Sequence, residues 1–86
     1  MTEQEIHDLC VKYGIFGYTI NPDGSIDVNG DVNMSVRGLT KIPLKFNRIN
    51  GFFNCSRNKL TSLENCPNAV NDFFDCSNNK LVSLDG

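Results

Sequence analysis

The segment Phe53-Asn54-Cys55-Ser56-Arg57-Asn58-Lys59-Leu60-Thr61-Ser62-Leu63 returns 21 residues later as Phe74-Asp75-Cys76-Ser77-Asn78-Asn79-Lys80-Leu81-Val82-Ser83-Leu84. A degenerate copy stands 21 residues earlier, Val32-Asn33-Met34-Ser35-Val36-Arg37-Gly38-Leu39-Thr40-Lys41-Ile42, with every apolar position kept and Arg37 in place of the asparagine. A further apolar column, Val28, Ile49 and Val70, leads each copy by four residues. No single copy has enough apolar surface to close a core. Each must bury its face on the next, as stacked repeats do. The repeats begin at Val28 and run 28–48, 49–69 and 70–86, roughly two thirds of the chain.

Within a copy, Phe53 and Cys55 are two apart, so on a strand they share one face and point into the stack. Leu60 and Leu63 return on the opposite side of the coil and close it from below. Asn58 falls where the strand must turn. Its amide both donates and accepts, so it can satisfy backbone groups of neighbouring coils that would otherwise be orphaned in the interior. Asn79 repeats this position, whereas Arg37 marks the end of that ladder. The skeleton F-x-C-S-x-N-x-L-x-x-L-x-x-x-P resembles the short bacterial and phage type of leucine-rich repeat; two units match well and the first in part. The resemblance implies an α+β fold: an N-terminal capping helix and β-hairpin, then a short leucine-rich-repeat-like solenoid with a small parallel sheet. It also implies a role in binding, because such repeats serve mainly for recognition.

The region ahead of the repeats fits this plan. Thr2 and Glu5 have capping-box spacing, and Ile6, Leu9, Cys10 and Tyr13 form a helical apolar stripe ended by Gly14. Residues 1–17 are expected to form a helix that covers the open end of the first coil; docking of the stripe into a partner is the alternative. Residues 18–28 read as a β-hairpin, with Tyr18-Thr19-Ile20 and Ser25-Ile26-Asp27-Val28 flanking the turn Asn21-Pro22-Asp23-Gly24. The hairpin is expected beside the first repeat strand. Gly30, Gly51 and Asp72 share a position that asks for an αL-tolerant residue. The stretches 43–48 and 64–69 are expected as irregular crossings, with Leu44, Phe46 and Ala69 closing the convex side. All 86 residues form one domain.

Composition excludes several functions. Net charge is −2 and the basic residues are scattered, which argues against a general electrostatic footprint for nucleic acid. No stretch approaches the roughly 18 apolar residues of a spanning helix, and the N-terminus is unlike a signal peptide. A cytoplasmic protein is expected, in the bacterial host if phage-encoded. Cys55 and Cys76 occupy equivalent inward positions, with Met34 in the first copy, so they read as small buried thiols in a reducing cytosol. Cys10 and Cys66 stand alone in different contexts. With one histidine, His7, and no C-x-x-C pair, no metal, cofactor or catalytic set is expected.

Strand alternation turns Phe52, Asn54 and Ser56 outward, with Phe73, Asp75 and Ser77 below them and Asp31, Asn33 and Ser35 above. Stacking brings Phe52 and Phe73 to roughly 5 Å, and an exposed aromatic pair is costly unless covered. Rimmed by Asp31, Asn54, Arg57 and Asp75, the pair has the form of an apolar anchor for a protein partner. The alternative is that the two rings merely cover each other and the hairpin. At the other end no C-terminal cap follows the third copy, so Phe74, Leu81 and Leu84 face an open end suited to a homodimer. The resemblance implies a phage-type inhibitor occluding a bacterial toxin or defence protein. A self-assembling structural protein is the second reading, and an RNA-associated module stacking bases on Phe52 and Phe73 a weaker third.

Overall fold

The computed structural model describes residues 1–81. Its order is α1 (Glu3–Lys12), β1 (Tyr18–Ile20), β2 (Ile26–Val28), β3 (Val32–Asn33), β4 (Phe46–Ile49), β5 (Phe53–Asn54), β6 (Ala69–Val70) and β7 (Phe74–Asp75). The fold is α+β: one helix and two small sheets, a four-stranded sheet in the order β1-β2-β4-β6 and a three-stranded sheet in the order β3-β5-β7.

Helix α1 starts as its sequence dictates. The Glu5 N–H donates to Thr2 Oγ1 at 3.2 Å and the Thr2 N–H to Glu5 Oε1 at 2.9 Å, satisfying two end donors reciprocally. Ile6 and Cys10 of the predicted stripe are buried, and Leu9 and Tyr13 pack partly against the same core. Gly14, at φ 67°, turns the chain out of the helix. The hairpin also forms as read. Gly24, at φ 84°, donates its N–H to the Asn21 carbonyl, and the Asp23 carboxylate accepts from the Ser25 N–H and hydroxyl.

Each 21-residue period gives one strand to each sheet. Ile49 pairs in parallel with Val28 and Val70, while Phe53 pairs with Val32 and Phe74. This corrects two expectations. The hairpin does not extend the β3 ladder: β2 pairs with β4, because the turn at residues 29–31 diverts the chain from one sheet to the other. Nor is 43–48 wholly an irregular crossing, since Phe46 begins β4 and Ala69, exposed, begins β6.

Gly51 is a third correction. It does not adopt positive φ, and neither does Asp72. Glycine stands at 51 because a Cβ there would lie 2.8 Å from the Gly30 carbonyl and 2.3 Å from the Asp31 carboxylate. The left-handed column lies elsewhere, at Val36, Arg57 and Asn78 with φ 54°, 56° and 55°.

The core runs through the stack, from Ile6, Cys10 and Ile15 to Ile26, Val28, Val32, Met34, Ile49, Phe53, Cys55 and Leu60. Phe46 meets Phe53 edge-on at 5.0 Å and ties the two ladders together. Burial fades along the Phe53 column: Val32 is 1% exposed, Phe53 0% and Phe74 40%. A radius of gyration of 11.9 Å is that of a compact chain this long, about 12 Å.

Candidate binding surface

Asn58 organises the turn after β5. Its Nδ2 donates to the Met34, Cys55 and Ser56 carbonyls at 2.8, 3.0 and 3.2 Å. Its Oδ1 accepts from the Arg37 and Leu39 N–H groups at 2.9 and 3.1 Å. Asn79 repeats the donor set on Cys55, Cys76 and Ser77 and accepts from the Leu60 N–H. These side chains hold one coil to the next, so the outward surface rests on a fixed frame.

On that surface Phe52 and Phe73 lie nearly parallel, centroids 4.8 Å apart and planes 10° apart. Phe52 is half-buried and Phe73 is 50% exposed. The spacing is the strand separation transmitted to the rings. Each ring covers a face of its neighbour, yet half of Phe73 stays exposed. Asp31 accepts the Phe52 N–H at 3.0 Å and thereby fixes where the pair begins.

The polar rim is less free than alternation suggests. Asn33, Asn54 and Asp75 each accept from the N–H and hydroxyl of the serine two residues on, Ser35, Ser56 and Ser77. These are three stacked Asx turns. Ser56, expected to point outward, is 5% exposed, because its hydroxyl folds onto Asn54 at 2.6 Å. The Ser77 hydrogen bonds, with the Arg57 charge behind them, hold the Asp75 carboxyl below its usual range. Arg57 is exposed in the left-handed column, and a shallow groove of about 310 Å³ runs from Ser35 and Val36 past Arg57 to Asn78. Asp31, Asn33, Phe52, Asn54, Arg57, Phe73 and Asp75 therefore all lie along the β3-β5-β7 ladder and its turns.

Two features escaped sequence reasoning. A column of asparagine amides joins the coils beside the four-stranded sheet: Asn50 Nδ2 donates to Asn29 Oδ1 at 2.9 Å, and Asn71 Nδ2 donates to Asn50 Oδ1. Asn68 and Asn47 form a second column ending on Asp27. The spacing of 21 between Asn29, Asn50 and Asn71 is the sequence signal for this column. The second feature is a cavity of about 640 Å³ between the start of α1 and the hairpin turn, lined by none of the phenylalanine-pair residues. Asp23 and Lys45 on its rim pair with each other at 3.2 Å.

At the C-terminal edge of the described residues Phe74 is 40% exposed and Leu81 half-buried; Leu84, named with them for self-association, lies outside the described residues. Near the helix, His7 Nδ1 bonds the Tyr18 hydroxyl, and Cys10 is buried. Burial pushes the Cys10 thiol up, and the residue is 0% exposed. Among the described residues no cluster of three or more His, Cys, Asp or Glu is placed to hold a metal, and no helix is long and apolar enough to cross a membrane. No protein-family model, no curated protein and no solved structure matches the chain.

Proposed function

We propose that the chain is a non-catalytic binding module of the short leucine-rich-repeat kind, a three-coil solenoid that engages a protein partner through Phe52 and Phe73. The reading is supported chiefly by one observation: Phe73 keeps half its surface open while lying flat on Phe52, inside a rim of fixed polar groups. A desolvated aromatic anchor with a polar border is how most interface energy is concentrated. By the resemblance of its repeats, the partner class is a bacterial toxin or defence protein occluded in the host cytoplasm by a phage-type inhibitor.

The test is affinity capture from bacterial lysate with nuclease present, comparing the native chain with Phe73→Ser. The exposed position leaves the core intact, so the variant should fold. One protein retained by the native chain and lost with Phe73→Ser is the expected result. Equal capture by both refutes the anchor. Capture that vanishes with nuclease points to RNA instead.

A second reading, self-association through the C-terminal coil, is favoured by the backbone. The N–H groups of Phe53, Cys55 and Arg57 donate to the Phe73, Asp75 and Ser77 carbonyls. One period on, Phe74, Cys76 and Asn78 have no further coil among the described residues to receive theirs. Phe74→Lys should then abolish a dimer seen by sedimentation while leaving the anchor's partner bound.

A further inference from the structure

Asparagine is followed by glycine twice in this chain, at Asn29-Gly30 and at Asn50-Gly51, one 21-residue period apart. The pairing has a chemical consequence. The backbone nitrogen of the residue after an asparagine can close a five-membered ring on the side-chain carbonyl carbon, and glycine has no side chain to hinder the approach. By sequence the two sites are equivalent, but the fold separates them.

Both side chains are exposed members of one amide column. Asn50 is tied at both ends, its Nδ2 donating to Asn29 Oδ1 at 2.9 Å and its Oδ1 accepting from Asn71 Nδ2. The backbone after it is braced as well, since the Gly51 carbonyl accepts the Asp72 N–H at 3.0 Å and the Phe52 N–H donates to Asp31 at 3.0 Å. Asn29 ends the column. Its Oδ1 accepts from Asn50, which draws electron density from the carbonyl carbon, while its Nδ2 has no partner among the described residues. Neither the N–H nor the carbonyl of Gly30 enters a hydrogen bond among the described residues.

We propose that Asn29 is a site of selective deamidation, a modification that turns the first member of the column from an amide into a carboxylate. Solvent hydroxide removes the Gly30 amide proton, and the nitrogen attacks Cγ of Asn29. The N–C bond forms, the Cγ–Nδ2 bond breaks, and Nδ2 leaves as ammonia with a proton from water, which regenerates the hydroxide. Water then opens the succinimide: breaking the ring bond from nitrogen to Cγ gives aspartate, and breaking the bond to the main-chain carbonyl carbon gives isoaspartate. The balance is one water consumed and one ammonia released.

The neighbouring column shows why the aspartate product fits. Asn68 donates to Asn47, and Asn47 donates to the Asp27 carboxylate at 2.9 Å, so a column whose N–H groups point toward the first coil already ends on a carboxylate. The Asn29 column has the same polarity. A carboxylate at position 29 receives the Asn50 N–H in a charge-assisted bond, stronger than the neutral one it replaces. The departing Nδ2 breaks no contact between coils. The first coil gains one negative charge.

The test incubates the purified chain at mildly alkaline pH, folded and in urea, and maps tryptic peptides by mass at intervals, with fragmentation to locate each change. In the folded chain Asn29 should gain about 1 Da at least about tenfold faster than Asn50, which must first release two side-chain bonds and open its braced backbone. In urea the two rates should converge, which separates the selectivity of the fold from that of the sequence. Equal rates in the folded chain, faster conversion of Asn50, or no conversion at Asn29 while the unfolded chain reacts at both would each overturn the assignment. Asn29→Asp supplies the product directly and should show a urea midpoint no lower than that of the native chain; a lower midpoint would refute the fit of the carboxylate to the column.

Discussion

Replacing Asn58 by alanine removes the most connected side chain in the stack. Asn58 is 7% exposed and makes five hydrogen bonds, three donated and two accepted, to backbone groups of its own coil and the one before. Truncation leaves the Arg37 and Leu39 N–H groups and the Met34 carbonyl without that partner. A buried backbone group left unpaired costs roughly 1–3 kcal/mol, and water entering the vacated space recovers part of it. The net expectation is a loss of about 3–5 kcal/mol. Native stability at this length is about 4–13 kcal/mol, so the change consumes a large share. Asn79 is the internal control. It makes four such bonds but is half-buried in the last coil, where water can replace the lost amide, so Asn79→Ala should cost about 1–2 kcal/mol. Urea unfolding followed by far-ultraviolet circular dichroism measures both, with an unchanged slope expected. If Asn58→Ala costs no more than Asn79→Ala, the amide is not what joins the coils.

Val36 is a β-branched residue at φ 54° and 69% exposed, in a column where the third copy carries Asn78, so Val36→Asn should stabilise the chain by about 1 kcal/mol in the same urea assay. Hydrogen bonds from Ser25, with Lys45 adding to them, hold the exposed Asp23 carboxyl at about 2. A depressed carboxyl contributes stability that is complete above its ordinary value and lost as pH falls from about 4 through 2. An NMR titration should show this midpoint rising toward the ordinary range in Ser25→Ala, and rising less in Lys45→Ala.

Helix α1, the hairpin and the repeat register were legible because each is written locally or by recurrence. Thr2 and Glu5 announce a cap, Asn21-Pro22-Asp23-Gly24 a turn, and Phe53 with Phe74 a shared column. The split into two sheets was not legible. Val28 and Val32 are only four residues apart, and nothing in their identity says that the intervening turn sends them to different ladders. Glycine at 30 and 51 suggested one backbone conformation, but two different causes act: Gly30 has positive φ, while Gly51 needs space beside Asp31. The left-handed column was hidden because valine and arginine occupy two of its three places. The stacked phenylalanine pair was legible because its spacing follows from strand separation alone. The occupancy of Asn33, Asn54 and Asp75 was not, since it depends on the serine hydroxyls turning back.

Those Asx turns bear on where recognition energy can reside. An acceptor already satisfied by an N–H and a hydroxyl gains little from a partner's donor, so the binding proposed above would draw its affinity mainly from the aromatic pair and only its orientation from the rim. The proposed self-association surface differs. Across the stack, the bonds from Val32, Met34 and Val36, and again from Phe53, Cys55 and Arg57, all run toward the C-terminal coil. Among the described residues the next donors in this series, the Phe74, Cys76 and Asn78 N–H groups, have no such acceptor, and Phe74 beside them is 40% exposed. Amide hydrogen exchange separates the two surfaces. In a monomer, Phe53 and Cys55 should exchange slowly, and Phe74 and Cys76 at least about tenfold faster, because only the first pair has acceptors among the described residues. Slow exchange at Phe74 and Cys76 that persists on dilution would mean that the chain covers this end itself, and self-association through it would lose its physical basis. Protection that disappears on dilution would assign the end to a second copy and leave Phe73 as the surface for a different protein.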